Sequence, residues 1–374
     1  MKTLVANHTT AQQQSSRTPY IHLVFYNADE STNYDFSTDS VAYGNRILLV
    51  DHTEEPYNDY AYIMLRDNDR TVPTLKGYHT NIGYGDTYLG TDYYSDSPRL
   101  WVKEQRVVSA GGKLYTLLVL EGIWSFFREQ LLIGSLTAGE GFAKRYYDPD
   151  DADTTIMHSM TIFYCLVEIE QKVDEACGTE IVLYMEATQD DGIIDAYIPG
   201  PELNSIPYYS AADLMQQLLA FTKCFIRLRN NETMQILYLL SSDDIDKTYY
   251  SDQQPFFYEY VRNDRLLVPN RIVVFAGVDP ETSEWPDEAT VIAMAGDTGN
   301  PSVSTAAQAS IDAYMQVTDI HVSAYIQSQS DAQARAEAIL YKYEAQQVTG
   351  TLIIPHDAAL ELYDHLQIVD NRSA

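Results

Sequence analysis

The stretch Gln105-Arg106-Val107-Val108-Ser109-Ala110-Gly111-Gly112-Lys113-Leu114-Tyr115-Thr116-Leu117-Leu118-Val119-Leu120 holds two strand-like runs joined by a glycine pair. Gly-Gly supplies the positive φ angles of a two-residue turn, so the stretch predicts two antiparallel strands folded back on each other. Short alternating runs flank it on the upstream side: Arg46-Ile47-Leu48-Leu49-Val50, Tyr60-Ala61-Tyr62-Ile63-Met64-Leu65 and Leu100-Trp101-Val102-Lys103. This texture, sustained from Tyr20 to about Gly122, predicts a β-sandwich or barrel.

Past Ile123 the texture changes. Trp124 to Gln130 reads as a short helix, the acidic loop Asp148-Pro149-Asp150-Asp151-Ala152-Asp153 follows, and Thr155 to Val173 has helical length. Ile181-Val182-Leu183-Tyr184-Met185 and Ile193-Ile194-Asp195-Ala196-Tyr197-Ile198 return to strand. Ser210 with Asp213 predicts a capping box before a helix from Ala211 to about Phe221, with Leu214, Met215, Leu218 and Leu219 on its apolar face. A hairpin turning at Asn230-Asn231 comes next, then a buried strand from Arg271 to Ala276. Gly277 to Thr305 reads as a long loop with one strand at Thr290 to Ala295. Ser330 and Gln333 predict a second capped helix, carrying Ala336, Ile339, Leu340 and Tyr343 on one face. The last strands are Thr351 to Ile354 and Leu366 to Val369.

The chain has 374 residues, the length of two or three domains, and 45% hydrophobic content provides for a large core. Its 54 Asp and Glu against 24 Lys and Arg give a formal charge of -30. Such a charge repels nucleic acid and anionic membranes, which excludes a basic-groove nucleic-acid reader. The acidic residues are spread along the chain, so the acidity belongs to a folded protein and not to a disordered tail. Cys165, Cys177 and Cys224 lack CxxC spacing, which indicates neither a zinc site nor a disulfide framework and leaves a single disulfide open. No window approaches the ~18 apolar residues of a membrane span. Met1 to Pro19 lacks a secretory apolar region and reads as a flexible or partner-bound arm, so cytoplasmic synthesis without export is expected.

No residue is assigned a catalytic, cofactor-binding or metal-binding role. Gly83-Tyr84-Gly85-Asp86-Thr87-Tyr88-Leu89-Gly90 has the wrong spacing for a phosphate loop and reads as a strand end and turn. The Asp148 to Asp153 loop lacks the central glycine and distal glutamate of a calcium loop, so it reads as solvated acid, with cation binding left open; the Asp67-Asn68-Asp69 turn reads alike. His8, His22, His52, His79, His158, His321, His356 and His365 are dispersed without an HExxH motif, and surface or interface positions are expected. No serine sits in a GxSxG elbow, and Glu54, Glu55, Glu168 and Glu170 carry no glycosidase signature. Thirty tyrosines are informative, because tyrosine suits partly wet interfaces; Tyr57, Tyr60, Tyr62, Tyr78, Tyr84, Tyr88, Tyr93 and Tyr94 crowd one region, either as plain strand positions or as an interface.

The order of elements in the C-terminal third resembles that of the trimeric tail-hub (baseplate-hub) proteins of tailed bacteriophages and related contractile injection systems. It comprises the capped helix, the hairpin at Asn230-Asn231, the strand at Asn270 to Ala276, the long loop and the Ala-rich helix. Gly350 to Pro355, Tyr363-Asp364-His365 and Leu366 to Asp370 resemble that family's ending, and Arg46 to Tyr62, Leu75-Lys76-Gly77-Tyr78 and Arg99 to Val102 its first β domain.

The resemblance implies a β-rich α+β fold with two small tube-forming β-barrel domains, flanking helices and a lateral α+β domain. The expected divisions are a flexible arm (1–19), a first hub β-barrel domain (20–125), a lateral α+β domain (126–200) and a second hub β-barrel domain (201–374) with helices near 211–221 and 331–347. It implies a cofactor-free homotrimer in the virion tail, assembled in the host cytoplasm, continuing the tail tube and anchoring the baseplate or tip. Implied neighbours are the tail tube, distal tail or baseplate proteins, a tail-tip or spike protein and the tape measure protein. DNA would pass through the lumen in transit only, which suits an acidic wall, and no membrane insertion is implied. Two other classes compete: an adhesin stacking its tyrosines on host glycans, and a tail-associated peptidoglycan hydrolase with carboxylates or a metal that spacing does not reveal.

Overall fold

A computed structural model describes residues 1–14, 16–131, 160–199, 210–229, 232–240, 242–277, 291–296, 304–323, 326 and 328–373. After helix α1 (Ala6–Gln12), the first unit consists of β1 (Pro19–Tyr26), β2 (Asn33–Asp35), β3 (Ile47–Glu55), β4 (Asn58–Arg66), β5 (His79–Tyr88), β6 (Thr91–Ala110) and β7 (Lys113–Gly122). These form one antiparallel sheet in the order β2-β1-β5-β6-β7-β4-β3.

Strand alternation explains its core. Leu23 and Phe25 of β1, Ala61, Ile63 and Leu65 of β4, Ile82 of β5, Leu100 and Val102 of β6, and Leu118 and Leu120 of β7 point to one face, where Phe36 and Leu75 join them. Strands far apart in the sheet, β1 and β4, line the same core, so the sheet curls around it. Its end strands β2 and β3 do not pair, so the expected barrel is an open curled sheet; β2, with 3 residues, is too short to zip a seam. The β6–β7 turn is as predicted, with Ala110 opposite Lys113 and positive φ at Gly111 and Gly112. Gly83 and Gly85 lie within β5, and a Cβ at Gly85 would stand 1.7 Å from the Tyr93 carbonyl oxygen, so close strand approach explains that glycine.

The second unit comprises α2 (Trp124–Glu129), α3 (Ile162–Cys177), β8 (Val182–Met185), α4 (Ala211–Ala220), β9 (Phe225–Leu228), β10 (Thr233–Leu237), β11 (Lys247–Tyr250), β12 (Glu259–Asp264), β13 (Arg271–Ala276), β14 (Val291–Ala295), α5 (Thr305–Ala313), β15 (Thr318–Val322), α6 (Gln329–Ala345), β16 (Val348–Ile353) and β17 (Leu366–Val369). Its strands make two three-stranded sheets, β8-β10-β9 and β14-β13-β15, and two pairs, β11-β17 and β12-β16. One core runs from Trp124, Phe127, Leu166 and Ile169 through Met215, Leu218, Ile226 and Met234 to Ile272, Val274, Ala336 and Leu340. The boundary expected at residue 200 therefore does not separate two cores, because residues on both sides of it pack together. β8, from the expected lateral domain, pairs in parallel with β10 of the expected second barrel.

Three local expectations are corrected. Residues 193–198 are a turn, not a strand: the Asp191 carboxylate accepts from the amides of Ile193 (3.0 Å), Ile194 (2.9 Å) and Lys223 (2.6 Å), offering the backbone an alternative to a sheet ladder. The last helix is capped by Ser328 and not Ser330, since the Ser328 hydroxyl accepts from the Asp331 amide at 3.0 Å. Ser210 caps α4 as predicted, accepting from the Asp213 amide at 3.1 Å. Finally, the arm expected to be flexible contains α1 and packs on the rest of the chain, with His8 and Ala11 buried. The Asn230-Asn231 turn lies outside the described residues, and beside it Glu232 takes the left-handed conformation.

Candidate functional site

The chemistry-bearing side chains converge on the seam between the units, where two segments cross: a strap, residues 2–18, and a connector, residues 354–365. The strap binds both sides. Lys2 donates its backbone amide to the Ala359 carbonyl at 2.8 Å and its ammonium to the Asp96 carbonyl at 2.7 Å. Arg17 grips the Asp86 carboxylate through Nη2 (2.6 Å) and Nε (3.2 Å) and donates through Nη1 to the His356 carbonyl at 3.0 Å. β5 and the connector are thus tied through one guanidinium.

The connector is held by carboxylates sunk into the second unit. Arg227, itself buried, donates to Asp364 Oδ1 at 3.1 Å, to the Leu362 carbonyl at 3.3 Å and to Gln235 at 3.0 Å. Arg229 grips Glu361 through two bonds of 3.1 and 3.0 Å. The side chains of Glu361 and Asp364 are only 4% and 2% exposed, and the Met1 ammonium, 2.7 Å from Asp364, joins the two arginines in compensating their buried charge. Burial opposes ionisation of Glu361, but the Arg229 hydrogen bonds and the charges of Arg227 and Arg229 outweigh it and hold the group below the usual carboxylate range. Asp357 behaves alike: burial opposes ionisation, yet hydrogen bonds from Lys247 and Tyr249 hold it low.

A cavity of about 440 Å³ opens in this seam, lined by Lys2, His52, Glu54, Tyr84, His356 and Asp357 among others. His52 shares a 2.9 Å hydrogen bond with the buried Asp59, whose pKa burial raises against the opposing effect of His52. The pair resembles the rear of a catalytic triad, but Asp59 is walled in by Gly122, where a Cβ would stand 2.7 Å from its Oδ2. Tyr84, not a serine or cysteine, faces the His52 ring, with centroids 5.9 Å apart. This arrangement positions and packs.

The expected surface placement of histidines fails for His8 and His79, which are buried, and holds for His356 and His365, which are exposed; His158 lies outside the described residues. The crowded tyrosines mostly serve internal contacts: Tyr57 meets Trp124, Tyr78 meets Tyr34, Tyr84 meets His356, and Tyr93 accepts from Asn7. Asp67 and Asp69 hold a turn, accepting from Thr116 and from Arg46. The Asp148 to Asp153 loop lies outside the described residues. Cys165, Cys177 and Cys224 are free thiols, with burial pushing Cys165 and Cys224 up to about 12. Among the described residues no His, Cys, Asp and Glu are grouped to hold a metal ion, and no helix is long and apolar enough to cross a membrane.

A second feature is an unsupported surface. Among the described residues β12 and β16 form a ribbon that pairs with no third strand, and Val261, Val348 and Ile353 on it are exposed, as are Tyr258, Leu266 and Val268 beside it. A lone two-stranded ribbon is marginal in water, so exposed apolar side chains and open edges mark it as a surface suited to being covered.

No family model matches the sequence, and no curated protein matches it. In structure, the chain is similar to a tail protein from Neisseria meningitidis MC58, with TM-score 0.56 and 9% identity over 96% of this chain and 88% of that one. It is also similar to the 43 kDa tail protein of prophage MuSo2 from Shewanella oneidensis, with TM-score 0.57 and 10% identity over 95% of this chain and 90% of that one. The chain has the fold of these tail proteins, and its β-rich α+β class is the one expected from sequence.

Proposed function

We propose that the chain is a structural protein of a phage tail: a hub, three copies of which close a ring that continues the tail tube and anchors the baseplate or tip. The observation that carries this reading is the shared fold with tail proteins over nearly the whole of both chains, 96% of this one and 88% of the Neisseria one. Two features of the molecule suit the role. A seam in which Arg17 and Lys2 each bond both β5 or β6 and the connector joins the two units, and a ribbon that pairs with no third strand among the described residues offers surface to neighbours. The neighbours would be the tube above and the distal tail, spike and tape measure proteins around it. The formal charge of -30 would let DNA pass a lumen without adhering. Assembly would take place in the host cytoplasm, and the finished protein would reside in the virion tail.

A structural role rather than catalysis is also favoured by the His52–Asp59 pair, which faces a tyrosine in place of a nucleophile. The adhesin reading loses its support because most of the crowded tyrosines are engaged inside the chain. The test is light scattering of the purified protein over a range of concentrations, alone and with its tail-tube partner, followed by negative-stain imaging. A trimeric ring with a central channel is expected. A monomer at every concentration that also fails to join the tube would overturn the proposal.

A further inference from the structure

The strap contains one deeply buried titratable side chain, His8, which is 1% exposed. It lies on α1, packed against β5 and β6, and its Nε2 has no hydrogen-bond partner. The charged groups facing it are Asp86, Arg17 and Asp357. Both carboxylates are already engaged, Asp86 by Arg17 and Asp357 by Lys247 and Tyr249. Lys2 and the exposed His356 line the same seam. A proton on His8 would therefore place an imidazolium in a buried site near the Arg17 guanidinium, with both facing carboxylates already paired to other cations or hydroxyls.

We propose that residues 2–18 form an acid-released clamp: protonation of His8 favours the state in which the strap has left the seam, breaking the ties that Arg17 and Lys2 make between the units and freeing them to shift. Burial, followed by the smaller effects of Asp86, Arg17 and Asp357, leaves the docked His8 with a pKa below its ordinary 6.5. A released strap would return it to the ordinary value, so protons bind the released state better. Docking is then strongest above pH 6.5 and weakens as pH falls through that value and toward the lower docked one. Burial also lowers the pKa of His356, whose carbonyl Arg17 holds, so the comparison with a His8 variant isolates the His8 imidazole.

The test is hydrogen exchange on the full chain at pH 7.5, 6.5 and 5.5, with rates corrected for intrinsic chemistry and protection in β4 and β7 as the internal reference. In the natural protein, strap protection is expected to fall by up to about tenfold per pH unit below 6.5. In His8→Leu it should follow the reference strands. Strap protection that holds steady from pH 7.5 to 5.5 in the natural protein overturns the proposal, and so does an equal fall in His8→Leu. Should His8→Leu lose protection in β4 and β7, showing misfolding, His8→Gln takes its place, and the natural protein's profile remains decisive by itself.

Discussion

The first sheet and the margin of the second unit solve the same problem with different chemistry. In the sheet, inward positions on β1, β4, β5, β6 and β7 are overwhelmingly apolar, and a one-residue slip would expose them, so burial sets the register. At the margin, β11, β17 and the connector lack a thick core of their own and are placed by Arg227, Arg229 and Lys247 reaching buried carboxylates. Apolar cores tolerate imperfect shapes, whereas ion pairs taken out of water fail abruptly when one partner is lost.

Arg227→Ala should give the largest effect, because it removes the buried guanidinium from Asp364, Gln235 and the Leu362 carbonyl at once and leaves Asp364 only the Met1 ammonium. A loss of about 3–5 kcal/mol is expected, with amide protection lost around the connector and β17 before β4 or β7. Simultaneous loss in both regions would erase the proposed difference. In the sheet, Leu118→Ala should cost about 2–5 kcal/mol through a core cavity, read from the urea midpoint, while the connector keeps its relative protection.

Acid should separate the regions without mutation. Glu361 and Asp357 are held below their ordinary pKa values, so their contribution is present above about pH 4 and drains away as pH falls further. Near-ultraviolet dichroism and exchange should show the connector loosening before the sheet between about pH 4 and 3. The smallest effect tests a cap. Ser328→Ala should cost about 1 kcal/mol, against less than about 0.5 kcal/mol for Ser330→Ala, measured by thermal or urea unfolding.

Legibility in the sequence follows the same divide. The Gly111-Gly112 hairpin, the Ser210 cap and the strands at 181–185 and 271–276 were readable because their determinants are adjacent residues. The turn at 193–198 does not show in the local pattern because its determinant is a single carboxylate, Asp191, that also reaches Lys223. α5 and β15 leave little trace in the sequence, since the stretch around them is dominated by small and polar residues with weak periodicity. None of the seam was legible: Arg17 meets His356 across 339 positions and Arg227 meets Asp364 across 137, and local patterns carry no trace of such pairs.

Those long spans also set an order in time. Thr248 of β11 waits for Gln367, 119 residues later, before it has a partner. The β3–β4, β5–β6 and β6–β7 hairpins, by contrast, can close as soon as they are synthesised. A growing chain can thus complete its first sheet while the seam is still undecided. Tying the two units together waits for the connector, because Arg17 and Lys2 find their partners there only at His356 and Ala359.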